Sequence, residues 1–388
     1  MVGACLAVAA AAAGRRIVLI EGTAPDSSAH QSFDERTTAL GNASRRILET
    51  LGVWGGVADQ CGVIRAIHVS DAGRFAFAHL NASEQGIEAF GFVVPNRVLG
   101  AALWQQIRAN ERISVRTPAT VESVSADAEG VTMRLAGHEA VLRARLAVAA
   151  DGAHSAVRRD AGIGASEADY GQVAVVANVA TDTPHDGTAF ERFTATGPLA
   201  LVPLRDGSYT VIWARSPQAA TETLAASEPQ FLSLLQQHFG WRAGKFTRAG
   251  RRASYPLKLT RADAAVAKRT VLIGNSAQSL HPVAGQGFNL ALRDVAALAE
   301  LLVAEGDPGA DAVLAAFAQG READRRGVTR FTDGLIRLFG DTRAPVRALR
   351  GAGLLLFDLL PPAKSALARV SLGFGGRTPR MARGLPLR

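Results

Sequence analysis

Residues 271–294 read VLIGNSAQSLHPVAGQGFNLALRD. An apolar run empties into Gly274-Asn275, a loop carries His281 and Pro282, and a helix opens at Gly285-Gln286-Gly287 and continues to about residue 303. A buried strand of a parallel sheet places its succeeding turn at the carboxyl edge of the sheet, where ligands bind in such folds. The helix behind it offers unbonded N–H groups and the positive end of its dipole at the glycines. A ring that becomes anionic on reduction would be stabilised there. The plainer alternative is a helix amino end that binds nothing.

The same device occurs upstream. In AVAADGAHSAVRR, residues 147–159, an apolar strand runs into Asp151-Gly152, with Ser155 and Arg158 next along the chain. At the amino end, Gly3 opens a small-residue stretch that reads as an amphipathic helix, Gly3–Ala13, feeding a buried strand, Arg16–Glu21. A dinucleotide fold runs strand, G-x-G-x-x-G, helix, and a second strand ending in an acidic residue about 20 residues on. The second half of that pattern is present. Glu21 stands where a carboxylate accepts the hydroxyls of an adenosine ribose, and Gly3 where helix and strand pack closely. The first two glycines of the pattern have no residues to occupy them. The expectation is a start assigned to an internal Met, with about a dozen residues of the first strand missing. Without a ligand, the same stretch reads as an Ala-rich helix on a strand ending in a surface Glu.

Between these motifs, a helix is expected over Asn42–Leu51 with Asn42 or Ser44 near its cap. Short strands are expected over 66–94, a helix over 94–108, and alternating strands over 112–150. The middle, 170–256, changes character. VAVVANVA and the hairpin LVPLRDGSYTVIWA, turning at Asp206-Gly207, predict an antiparallel sheet, and a helix is expected at about 228–239. The organisation expected is an α/β, Rossmann-like domain made of 1–65, 95–165 and 257–305. Residues 66–94 and 166–256 form an inserted antiparallel-sheet substrate domain, and 306–388 a helical, basic region with an apolar patch, GLLLFDLL.

Composition narrows the function classes. The chain has 388 residues, 48% hydrophobic and 20% charged, which suits a globular protein with a large core. Its net charge of +8 favours anionic ligands or an anionic membrane face. The excess is spread along the chain without a Lys/Arg-rich block or interleaved aromatics, so nucleic-acid binding is not expected. Cys5 and Cys61 sit in unrelated segments, which excludes a disulfide framework and points to a reducing compartment. The eight histidines form no metal-binding motif, and no metal is expected. The apolar start, Met1–Ala13, has its positive charges after it, and no apolar run approaches the ~18 residues a spanning helix needs. The expected location is cytoplasmic, with peripheral contact at the inner membrane a second expectation.

D-G-x-x-S-x-x-R at 151–158, paired with G-[DN]-x-A-x-x-x-x-P-x-x-G-Q-G-x-N at 274–289, resembles the single-component FAD-dependent aromatic hydroxylases. In particular it looks like their ubiquinone-biosynthesis branch, and within it is similar to the 2-octaprenyl-6-methoxyphenol hydroxylase group. Sibling hydroxylases carry Asp where Asn275 stands and His where Gln278 stands. DERTTAL, Asp34–Leu40, and the helix start RVLGAAL, Arg97–Leu103, fit the same family.

The resemblance implies a role for each motif. Glu21 would bind the adenosine ribose, and Arg36 and Arg97 would lie along the flavin and its ribityl-phosphate chain. Asp151 with Gly152 would contact FAD and organise the nicotinamide approach, supported by Arg158. Asn275, after Gly274, would bond the ribityl chain. Pro282 and the amides from Gly285 through Gln286 and Gly287 to Asn289 would flank the isoalloxazine. NAD(P)H would reduce FAD, and reduced flavin would take O₂ to a C4a-hydroperoxide that attacks a polyprenylated phenol ring. No general base is identified, and His281 reads as a structural histidine. The basic carboxyl-terminal segment would touch a membrane or a ubiquinone-biosynthesis complex, although a buried amphipathic helix is the blander reading. Two alternatives are a flavin halogenase, whose paired-Trp motif the isolated Trp54, Trp104, Trp213 and Trp241 do not provide, and a non-catalytic subunit that binds the lipid intermediate.

Overall fold

A computed structural model describes residues 1–25, 36–74, 77–137, 139–341, 343–373 and 378–387. Asp34 and Glu35 of the DERTTAL stretch lie outside the described residues. The chain begins with α1 (Val2–Ala12), in which every residue from Ala4 to Ala11 is buried. The expected amphipathic helix is thus a core helix, because small side chains all round let it be enclosed on every side. It is followed by β1 (Ile17–Ile20), β2 (Thr37–Gly41), α2 (Asn42–Thr50), β3 (Ala66–Asp71), β4 (Phe77–Asn81), β5 (Gly91–Pro95), α3 (Asn96–Arg108) and β6 (Ile113–Arg116). Asn42 stands next to the cap of α2, as expected, but neither it nor Ser44 makes a capping hydrogen bond. Gly41 is its N-cap residue, Asn42 Nδ2 donates to the Ala89 carbonyl, and Ser44 is drawn to Asn289.

After a three-stranded antiparallel ribbon over 121–144 come β7 (Ala147–Ala149) and α4 (Ala156–Asp160). β1 pairs in parallel with β6, Ile17 opposite Ile113. β7 pairs in parallel with β13 (Thr270–Leu272), Ala147 opposite Thr270. The two parallel pairs are not bonded to each other among the described residues. α1 bridges them: a Cβ added at Gly3 would stand 3.3 Å from the Ala150 Cβ and 3.9 Å from Leu19. β1 departs from the buried strand that its sequence predicts: Val18 is 47% exposed, because the edge of β1 opens on a cleft.

The middle of the chain forms β8 (Ala165–Thr181), β9 (Thr188–Thr194), β10 (Gly197–Pro203), β11 (Tyr209–Arg215) and β12 (Ala253–Ala262). With β3, β4 and β14 (Gln278–Ser279) they give the order β14-β12-β8-β11-β10-β9-β3-β4, and strand Phe246–Ala249 also pairs with β8. All contacts in this sheet are antiparallel except β9 with β3. The β10–β11 hairpin turns at Asp206-Gly207, where Asp206 Oδ1 accepts the Ser208 N–H at 3.0 Å. Helix α5 (Glu228–Phe239) packs Phe231, Leu235 and Phe239 on Trp213 and Tyr209 of the sheet. Each such side chain contributes about 1.5–3 kcal/mol when withdrawn from water.

The remaining helices are α6 (Gln286–Leu302), α7 (Asp311–Gly340), α8 (Ala344–Leu359) and α9 (Pro361–Ser371). α6 joins α1 and α3 in the largest core cluster, whereas α8 lies against β4 of the sheet.

Candidate active site

Both parallel strand pairs end at one cleft of about 1830 Å³. Its walls include Gly3, Glu21, Arg36, Asp151, Gly152, Asn275 and Gly287, so seven sequence-predicted residues from five separate segments converge. Glu21 directly follows β1, and its Oε1 accepts the Thr23 N–H at 3.2 Å, which holds the carboxylate at the strand end. The Arg36 guanidinium lies over the Tyr255 ring, 4.8 Å from its centroid. Asp151 is exposed, and its Oδ2 takes the Val157 N–H at 3.4 Å. The first turn of α1 carries no acidic side chain, so no carboxylate there repels an anion.

Arg158 is buried rather than presented to the cleft. Ser155 caps α4 by accepting the Arg158 N–H at 3.0 Å, and Arg158 Nη1 donates to the Ser276 carbonyl at 3.0 Å. Ser276 Oγ in turn reaches the carbonyls of Ala149 (2.7 Å) and Ile273 (2.8 Å). One chain of polar contacts therefore fixes the ends of β7 and β13 relative to each other. Gly274 begins this turn at φ +61°, and a Cβ there would meet the Val2 side chain at 3.2 Å. Conformation and the close approach of α1 both require glycine.

Asn289 acts through its side chain. Its Oδ1 accepts the Gly41 N–H at 2.8 Å and the Ser44 hydroxyl at 2.6 Å, while Nδ2 donates to the carbonyls of Ala39 (2.8 Å) and Gly285 (2.7 Å). The amide is fully occupied by protein, and it rivets the 285–289 turn to β2 and α2. Gly285, at φ +60°, sits 3.3 Å (by its added Cβ) from Ala39. Gln286 is buried and Pro282 is exposed on the same turn. Gly287 borders the cleft, with nothing within 4 Å of the place a Cβ would take.

His281 is 1% exposed. Its Nδ1 accepts the Val283 N–H at 3.2 Å, which leaves the ring proton on Nε2, and Nε2 finds no partner among the described residues. Burial pushes its pKa down to about 4. The ring stands edge-on to Tyr170 of β8, with centroids 5.2 Å apart.

Arg97 is not brought to the cleft. It is exposed at the start of α3 and lines a separate hollow of about 430 Å³ with Val98, Ala101 and Gln105. Two sets of functional contacts escape sequence reasoning. One is the Ser276 stitch, whose only local signal is a hydroxyl between Asn275 and Ala277 at the end of an apolar strand. The other locks α6 in place: Asp294 pairs with Arg321 (2.7 Å) and Arg325 (2.9 Å), and Asp324 pairs with Arg293 (2.7 Å) and Arg321 (2.6 Å). Burial opposes the charge on Asp324, but Arg293 and Arg321 outweigh it and hold its carboxyl below the usual range.

These features suit FAD. A strand-end carboxylate matches ribose hydroxyls, the cleft accommodates an extended dinucleotide, and the open side of Gly287 leaves room for a flat ring. Fold and site together define a dinucleotide-binding flavoprotein. Residues 1–332 match the family described as FAD binding domain. Over 395 residues, the chain is 36% identical to the ubiquinone hydroxylase UbiL of Rhodospirillum rubrum, covering 100% of this chain and 91% of that protein. It is 31% identical over 381 residues to the 3-demethoxyubiquinol 3-hydroxylase of Escherichia coli, covering 96% of each. The crystal structure of p-nitrophenol 4-monooxygenase PnpA from Pseudomonas putida DLL-E4 matches with a TM-score of 0.79 at 20% identity, over 97% of this chain and 96% of that one, a likeness of fold. The chain belongs to the FAD-dependent monooxygenases, in the hydroxylase family of ubiquinone biosynthesis.

Proposed function

We propose that this chain hydroxylates the ring of a polyprenylated phenol, with NAD(P)H and O₂ as co-substrates. The observation that carries the reading is the two-sided turn between β14 and α6. Gly287 and Phe288 border the dinucleotide cleft, while Val283 packs with Phe193 and Phe339 in an apolar cluster on the sheet side. A lipophilic ring held by that cluster would meet the cofactor across the turn. Bound FAD supplies hydride acceptance from NAD(P)H and activation of O₂.

The protein's own work is to bind, orient and keep water out. Glu21 would hold the ribose, with Arg36, Asp151, Gly152 and Asn275 along the rest of the dinucleotide and the Gly287 side of the turn against the ring. Gly3, Gly274, Gly285 and Asn289 set the backbone that carries these groups, and Arg158 steadies the Asp151 loop. His281 stays neutral at pH 7 and keeps its proton at Nε2, a buried donor without a protein partner among the described residues. Phe193, Phe339 and Val283 exclude water from that side.

The test uses the full chain reconstituted with FAD, a polyprenylated phenol in detergent and isotopically heavy O₂. The expected result is NAD(P)H oxidation stimulated by the phenol and one heavy oxygen atom in the product. Oxidation that no prenylated phenol stimulates, with no label in any product, overturns the substrate assignment. A Glu21→Ala variant should bind FAD about tenfold more weakly, the equivalent of one to two lost hydrogen bonds.

A further inference from the structure

Resting on that substrate assignment, we propose that the outer face of α8 docks the protein on an anionic phospholipid bilayer. The helix is inverted relative to an ordinary surface helix. Leu349, Leu356 and Leu359 are 73%, 58% and 76% exposed, and Leu355 and Leu360 beside them are 51% and 43% exposed. Positions 349, 356 and 359 fall on one helical face. Arg350 and Asp358 turn inward. Arg350 is buried and pairs through Nη2 with Asp71 of β3 at 2.6 Å, while its Nη1 donates to the carbonyls of Leu338 and Phe339, each at 2.9 Å. Asp358 accepts the His79 N–H of β4 at 2.9 Å and pairs with Lys364 at 2.8 Å. These inward pairs fix the rotation of the helix, so the contacts beneath it hold the leucines outward.

Charge names the partner. Residues 341–388 contain nine Lys/Arg and two Asp, so this short segment holds nearly all of the chain's excess of +8. The excess is therefore not evenly spread, as the absence of a dense basic block had suggested: the imbalance is at the carboxyl end. Arg337 and Arg343, both strongly exposed and paired with Asp333 (2.9 Å) and Asp341 (2.6 Å), stand in the sequence on either side of Leu338, itself 45% exposed. Outward leucines on a segment whose sequence is strongly basic suit a helix lying in the headgroup region of an anionic leaflet. No helix among the described residues is long and apolar enough to cross a membrane, so the contact is peripheral.

The position of α8 links the surface to the chemistry. Leu354, on the inner side of the same helix, packs in the cluster of Phe193, Phe339 and Val283 that reaches the flavin-side turn. The buried Arg350–Asp71 pair lies against the same cluster, with the Arg350 guanidinium 5.1 Å from the Phe339 ring centroid, so a polyprenyl tail passing from the leucines to the cluster would run beside a neutralised ion pair.

The experiment is vesicle flotation of the full chain, with vesicles of phosphatidylcholine alone and of equal parts phosphatidylcholine and phosphatidylglycerol. Wild-type protein should float with the anionic vesicles, and high salt should weaken this. The Leu356→Glu/Leu359→Glu double variant should lower the bound fraction about tenfold or more, since two leucines lose their buried site and two like charges face the lipid. Far-ultraviolet circular dichroism and the unfolding midpoint should match wild type, because both residues are exposed. Equal flotation of variant and wild type, or no flotation of either, overturns the proposal. So does a wild-type dimer or hetero-complex that the variant abolishes while vesicles bind neither, since the face would then be a protein interface. Turnover separates this from the substrate reading. A variant that hydroxylates a short-chain phenol in solution but fails on polyprenylated phenol in vesicles supports docking. Vesicle binding without any phenol hydroxylation leaves docking standing and removes the substrate assignment.

Discussion

Helices α6 and α8 each bury an arginine against an aspartate from another element, yet they turn their leucines in opposite directions. In α6, Leu290, Leu292, Val295 and Leu298 are buried, and Arg293 and Asp294 are matched by α7. In α8, Arg350 is matched by Asp71 while Leu349, Leu356 and Leu359 face outward. Helical spacing of apolar residues thus reports that a helix has an apolar face. It does not report whether the protein itself covers that face. The neighbours decide: α6 has core on both sides, and α8 has the edge of a sheet beneath it.

If the ion pairs have these different jobs, breaking them should have different reach. Asp294→Asn leaves Arg321 and Arg325 facing a neutral group in a buried site, and should lower stability by about 3–5 kcal/mol. Urea unfolding measures this, and a loss well under 1 kcal/mol would mean that packing alone locks α6. The effect should extend to FAD retention, because α6 carries the Gly285–Asn289 turn. Arg350→Met should act locally. Hydrogen exchange should accelerate over 341–371, while the global midpoint moves less than in the Asp294 variant. An equal global loss would erase the distinction between the two helices.

The smallest expected effect is in pH dependence. Burial lowers the pKa of His281 to about 4, and burial, with Arg242, His79 and Arg192 adding to it, lowers that of His68 to about 4. In the unfolded chain both titrate near 6.5. Protons therefore bind the unfolded state more readily between these values. The stability contributed by the neutral rings is complete above about pH 6.5 and is lost as pH falls toward 4. Replacing both with glutamine should flatten the urea-midpoint profile across that window. Asp324 acts lower: its depressed pKa adds stability above the ordinary carboxylate range, lost only in stronger acid. An unchanged slope between pH 6.5 and 4 in the double variant would show that neither histidine controls acid stability.

Local chemistry was legible in the sequence wherever it was sufficient. The hairpin at Asp206-Gly207, the α5 helix and the helix opening at the Gly285-Gln286-Gly287 turn are all set by turn residues and periodicity within a few positions. The cleft residues Glu21, Asp151 and Asn275 were legible because each follows the carboxyl end of a parallel strand, and Gly287 because it opens the helix behind one of them. Features that depend on distant partners stayed hidden. α1 read as two-faced because alanine is mildly apolar in every direction, and only its enclosure shows a core helix. Asn42 and Ser44 resembled caps, but Asn289, more than two hundred positions away, takes up Ser44 and the Gly41 amide. Arg97 fits its motif, yet the start of α3 points it to another hollow.

Asn289 also bears on when order is acquired. Four directional bonds from one amide hold the turn to β2 and α2 before any cofactor arrives. The conformational entropy of that turn is therefore surrendered during folding, and capture of the flavin ring need not organise it again. A loosened rivet should reveal itself first as slower, weaker flavin uptake with a larger entropic penalty. Calorimetry of FAD binding to an Asn289→Ala protein would read that penalty directly.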